Sequence, residues 1–123
     1  HYLKVKNKLK LKLWGDGSPK REVIYVDDLA EACVYFMNKK TNKKLINIGT
    51  GVDYSIKDYA KIISEIILPS KKIRFIFDRT KPNGTPRKVM DISLAKKYGW
   101  KPKSTLKESI AKTYNSFLKE NNG

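Results

Sequence analysis

Two stretches of the chain alternate strictly. In KLKLKLW, residues 8–14, Leu9, Leu11 and Leu13 share one side and lysines the other. KIRFIFD, residues 72–78, repeats that period of two. Alternation marks a strand with one buried face. REVIYV, residues 21–26, and KLINIGT, residues 44–50, are rich in β-branched residues and read as two more short strands. Between them the period becomes helical. Leu29, Ala32, Cys33, Phe36 and Met37 predict a helix opened by Asp27 and Asp28, whose carboxylates would cap its first amides. Cys33 lies on that stripe and reads as core filler.

A second helix starts at Ser55, with Asp58 at capping-box spacing, and stops at Pro69. Its buried face would be Ile56, Tyr59, Ile63, Ile66 and Ile67. A short helix follows at residues 93–98. Thr105 and Glu108 make another capping box for a last helix that turns Leu106, Ile110, Tyr114 and Phe117 inward. The tail ENNG should fray. The order is strand, strand, helix, strand, helix, strand, helix, helix, and the expected fold is a single small mixed α/β domain over residues 1–123.

One loop departs from ordinary punctuation. DRTKPNGTPRKVMD, residues 78–91, sets Pro82, Gly84 and Pro86 among Lys81, Arg87 and Lys88. Proline fixes φ and glycine opens positive φ, so the backbone shape is dictated. Dictated shape beside positive charge suits a held anion.

Composition removes several chemistries. The single histidine is His1, which argues against a Ser-His-Asp or Cys-His set. One cysteine forms neither an internal disulfide nor a cysteine-based zinc site, and it agrees with a cytoplasmic protein. No apolar run has the length of a membrane span. No G-x-G-x-x-G follows a strand, and the glycines of WGDGS and NIGTG lack the Walker lysine. The formal net charge is +15, which raises nucleic acid or another polyanion as a partner. Only Arg21, Arg74, Arg79 and Arg87 among 27 cations are arginine, and the lysines are spread along the whole length. Base readout leans on arginine's planar fork, so a solvated lysine surface is the better reading. The start, HYLKVKNK, reads as a point inside a longer chain.

Three stretches carry a resemblance. They are LWGDGSPKREVIYVDDLAEA (13–32), INIGTGVDYSIKDYAKII (46–63) and KPNGTPRKVMDISLAKKYGW (81–100). Together, in this order, they resemble the C-terminal part of the extended short-chain dehydrogenases/reductases that act on nucleotide sugars, and among these the GDP-L-fucose synthase family. The resemblance implies a small mixed α/β substrate domain, with the N-terminal Rossmann domain absent from this chain. That domain would bind NADPH and carry a Ser-Tyr-Lys catalytic set; this chain alone would bind no cofactor. The implied reaction converts GDP-4-keto-6-deoxy-D-mannose to GDP-L-fucose by epimerisation at C3 and C5 and reduction at C4. Homodimers are common in the family. Carried over position by position, substrate contacts fall on Trp14, Arg21, Asn83 and Lys88, with no catalytic or metal-binding residue here. Asn83 stands where the family's K-P-D-G has aspartate, which leaves another GDP-4-keto deoxysugar or heptose open as substrate.

The chemistry of the four residues agrees with that implication. Arg21 offers a fork for a diphosphate, Lys88 a second charge, and Trp14 a broad face for a ring. A turn stiffened by two prolines loses little entropy when it binds.

Overall fold

The computed structural model describes residues 1–121. Five strands and five helices alternate along the chain. They are α1 (Tyr2–Val5), β1 (Lys10–Trp14), β2 (Lys20–Arg21), α2 (Val26–Met37) and β3 (Tyr54–Ser55) in the first half. α3 (Ile56–Ile67), β4 (Arg74–Asp78), β5 (Arg87–Lys88), α4 (Ser93–Lys97) and α5 (Leu106–Asn121) complete it. Two small sheets result. β1 and β4 pair in parallel, Lys10 opposite Arg74 through Trp14 opposite Asp78. β2 sits at the centre of the other sheet, antiparallel to β3 and parallel to β5.

The alternating stretches become β1 and β4, with Leu11, Leu13, Phe75 and Phe77 on the half-buried side. Both capping boxes form. Ser55 Oγ accepts from the Asp58 amide at 3.0 Å, while the Asp58 carboxylate accepts from the Ser55 amide at 3.2 Å. Thr105 and Glu108 do the same at the head of α5. The most buried core is small: Ala32, Ala95 and Trp100, with Ile24, Tyr35, Phe36, Ile46 and Ile48 packed around them. The Trp100 indole N–H is satisfied by Glu31 Oε2 at 2.8 Å.

Four expectations are corrected. Residues 22–25 are not strand, because β2 ends at Arg21 and Tyr25 is already the N-cap of α2. Residues 44–50 lie outside the strands: Ile46 and Ile48 pack on the core, but the segment finds no ladder partner among the described residues. Asp27 and Asp28 do not cap α2; both lie in its first turn, and Asp28 turns inward, only 6% exposed. Cys33 is exposed, together with Val26, Leu29, Val34 and Met37. The helix buries Ala32 and half-buries Glu31, Tyr35 and Phe36, so of the apolar stripe read from the sequence Ala32 and Phe36 turn inward while Leu29, Cys33 and Met37 face out. α5 is helical through Asn121; the last two residues of the tail expected to fray lie outside the described residues.

Candidate functional site

The loop 78–91 is anchored at both ends and in the middle. β1 and β4 finish side by side, and the Gly15 amide donates to the Asp78 carbonyl at 2.9 Å. Gly15 has φ +74°, and a Cβ there would overlap Asn83 Oδ1. Glycine therefore lets the loop close on the strand end. Asn83 Oδ1 accepts the Asp16 amide at 2.8 Å. Asp16 in turn accepts the Ser18 amide at 2.8 Å and the Ser18 hydroxyl at 2.6 Å. The Ser18 hydroxyl and amide, with the Asn83 amide, pull the Asp16 carboxyl down from 3.8 to about 2. Further on, the Lys20 amide donates to the Pro86 carbonyl at 2.8 Å and starts the β2–β5 ladder.

That ladder is only two residues long, Lys20 opposite Arg87 and Arg21 opposite Lys88. Directly opposed residues project from the same face of a sheet, with strands ~4.8 Å apart. Arg21 and Lys88 are thus lateral neighbours. Gly84, at φ +74°, brings its backbone against the Arg21 guanidinium: a Cβ there would lie 3.5 Å from Nη2. Arg21 Nη1 also donates to the Lys20 carbonyl at 2.7 Å, which holds the guanidinium back along β2. Neither Arg21 nor Lys88 has an acidic partner among the described residues. Arg87 differs: it is paired with Asp53, and this hydrogen-bonded charge raises the guanidinium pKa and lowers that of Asp53. The pairing of Arg21 with Asp27 or Asp28 that sequence proximity allowed does not occur.

Trp14 is 71% exposed, and Lys81 Nζ stands 5.6 Å above its ring. Asn83 and Lys81 line an open crevice with Gly15, Asp16, Arg79 and Pro82. Lys88 lines a second crevice with Glu22, Ile24, Ile48, Gly49, Val89 and Met90. Arg21 lies between them, under Gly84. Asn83 and Lys88 lie on the exposed segment 81–90, which touches Trp14 through Lys81 and Arg21 through Gly84, but neither crevice holds all four. Asn83 faces its own chain: its oxygen takes the Asp16 amide and its side-chain amide lies against the Asp16 carboxyl.

Glycine turns are where a dinucleotide's phosphates would be cradled. Here side chains of this chain fill them. Asn83 closes on Gly15, Phe77 and Lys57 crowd Gly17, and the Glu22 carboxylate occupies the amides of Thr50 and Gly51. These three turns are closed to a phosphate by the chain's own side chains. Among the described residues no cluster of three or more His, Cys, Asp or Glu is placed for a metal, and no helix is long and apolar enough to cross a membrane. Glu22, Asp16 and Arg79 were not singled out from the sequence; Glu22 was visible only as the letter after Arg21 in a motif.

This small mixed α/β fold, with its basic strip over a two-residue ladder, has recognisable relatives. The model of the NAD dependent epimerase/dehydratase family matches residues 2–49. The chain is 40% identical to GDP-L-fucose synthase 1 of Arabidopsis thaliana over 97% of its own length and 36% of the relative's. It is 40% identical to GDP-L-colitose synthase of Yersinia pseudotuberculosis, over 94% of this chain and 37% of that one. A GDP-6-OMe-4-keto-L-xylo-heptose reductase from C. jejuni superposes with a TM-score of 0.80 at 33% identity, covering 98% of this chain and 37% of that one. The chain is therefore a relative of the NAD dependent epimerase/dehydratase proteins. Within that class its named relatives are GDP-L-fucose synthases and other GDP-sugar enzymes, and it spans about a third of their length.

Proposed function

We propose that this chain is the nucleotide-sugar-binding domain of an NADPH-dependent GDP-sugar epimerase/reductase, one that makes GDP-L-fucose from GDP-4-keto-6-deoxy-D-mannose. The observation that carries the reading is the Arg21–Lys88 pair: two neighbouring cations on adjacent strands, without acidic partners among the described residues, beside a glycine-bent turn. A diphosphate needs that geometry, since arginine binds two oxygens through its fork and lysine adds a point charge. Trp14, exposed and beside Lys81, supplies a flat surface for a base or sugar ring. NADPH and the catalytic set belong to the rest of such a protein, a Rossmann domain facing the exposed α2 stripe. The working form would be a cytoplasmic homodimer.

The test is a GDP titration followed by NMR on this chain, wild type and Arg21→Ala. Binding should be weak in the wild type and weaker by roughly tenfold or more in the variant, the usual size of a charged hydrogen bond. Equal dissociation constants would remove Arg21 from the site. Asn83 supports a second reading inside the same class. It stands where the family pattern has aspartate and drops the charge there, which leaves room for another GDP-4-keto deoxysugar or a heptose. Turnover of several GDP-4-keto sugars by the longer protein decides between them.

A further inference from the structure

We infer that Glu22 is a positioning residue: its carboxylate sets β5 against β2 and thereby fixes Lys88 beside Arg21. The function of that pair rests on the reading above, but the positioning itself does not.

Besides the Arg87–Asp53 pair, little else holds β5. Its ladder with β2 is two residues long, and every residue from Lys81 to Met90 is exposed. Ladders this short are marginal. Glu22 follows directly after the last residue of β2. Its Oε2 accepts the Met90 amide at 2.6 Å, two residues beyond Lys88. Its Oε1 accepts the Gly51 amide at 2.6 Å, the Thr50 hydroxyl at 3.1 Å and the Thr50 amide. One carboxylate thus gathers four donors from two segments that are far apart in the chain. Charged acceptors give the stronger hydrogen bonds, and those to backbone amides constrain the chain path directly.

The surroundings fit this use. A Cβ at Gly49 would overlap Glu22 Oε1 and come within 3.2 Å of the Met90 Cβ, so only glycine lets the two segments close on the carboxylate. Gly51, at φ +71°, turns its amide toward the same oxygen as Thr50. Glu22 also lines the crevice that holds Lys88, with Gly49 and Met90. The carboxylate does at the end of β2 what further ladder bonds would do in a longer strand.

Glu22→Gln tests the idea sharply. Glutamine keeps one acceptor oxygen but turns an NH₂ toward amide donors on one side, so one segment must let go. Backbone NMR on the unliganded chain reads the consequence. Expected are large shifts and faster exchange at Met90, Thr50 and Gly51, and loss of the Arg21–Lys88 cross-strand contact. The Trp100 indole N–H and the Glu108 amide should keep their positions. If the Glu22→Gln chain retains the cross-strand contact, the inference is wrong. Wild-type exchange guards against a variant that fails to fold: a Met90 amide that exchanges as fast as an open chain overturns the clamp without any mutation. A GDP arm adds a coupling readout. Lys88→Ala should weaken GDP binding roughly tenfold in the wild type. In the Glu22→Gln background the same change should cost less than about twofold, because Lys88 is no longer held in place. Additive losses would overturn the positioning role. If the wild type binds no GDP at all, the proposed function falls while the exchange and cross-strand data still decide the role of Glu22.

Discussion

Asp28→Ala should lower the melting temperature of this chain far more than the same change at its neighbour Asp27. Asp28 is buried at 6% exposure in the first turn of α2, and it reaches across to the segment before α5. Its Oδ2 accepts the Lys103 amide at 3.2 Å and the Ser104 amide at 2.9 Å, and its Oδ1 accepts the Ser104 hydroxyl at 3.2 Å. Alanine leaves two backbone donors in a part-buried site without a partner, at about 1–3 kcal/mol each. Water reaches part of the site, so a total of about 2–4 kcal/mol is expected. With ~2.1 cal/mol/K of unfolding entropy per residue over 123 residues, that is a drop of about 8–15 °C. Asp27 is exposed in the first turn of the helix, near its positive end, with the Tyr25 hydroxyl as its side-chain partner. Its loss should cost ~0.3–1 kcal/mol, or about 1–4 °C. Asp28→Asn, which keeps an acceptor but adds a donor, should fall between. Thermal unfolding by far-UV circular dichroism measures all three. An Asp28→Ala chain melting within about 3 °C of wild type, or an Asp27→Ala chain equally destabilised, would refute this account of the carboxylate pair.

Two other outcomes follow from the geometry. The Asp16 carboxyl should titrate near 2 by carbon NMR, and Ser18→Ala should move it back toward 3.8, since the Ser18 hydroxyl is the largest cause of the shift. The sign follows from linkage: a folded value below the ordinary one stabilises the chain above about pH 4, and that contribution disappears as pH falls toward 2. An unchanged titration in the Ser18→Ala chain would show that the hydroxyl bond does not persist in solution. Cys33 should react with an aromatic disulfide reagent in the folded chain at a rate within about tenfold of a free thiol. In the longer protein proposed above, where α2 faces another domain, the same thiol should be protected; a slow reaction in this chain alone would restore the buried reading.

The parts of the fold legible in the sequence are those decided within a few residues. Alternation in 8–14 and 72–78 survives as β1 and β4, which keep Leu11, Leu13, Phe75 and Phe77 on the half-buried side although each strand's partner is 64 positions away. The two capping boxes are closed by residues three apart. What was illegible depends on distant partners. The residues at 44–50 have strand propensity but no ladder to join, since packing of Ile46 and Ile48 on Trp100 uses their side chains and leaves their backbone unpaired. Asp28 looked like a cap because its real donors are 75 and 76 residues away.

The stripe on α2 carries the same lesson in reverse. Helical periodicity marks Leu29, Ala32, Cys33, Phe36 and Met37 as one stripe, but it does not say which edge of the stripe is covered. Ala32 and Phe36 are packed on the core, while Leu29, Cys33 and Met37 on the other edge stay exposed. The basic strip sits at the same limit. Arg21 and Lys88 are 67 positions apart and became neighbours only through a two-residue register, whose alignment depends on a glutamate that no local pattern marks. A site made of cations on so short a ladder is as precise as the bonds beside the ladder. If the pair holds the diphosphate proposed above, the carboxylate of Glu22 bears as directly on that binding as the two cations it aligns.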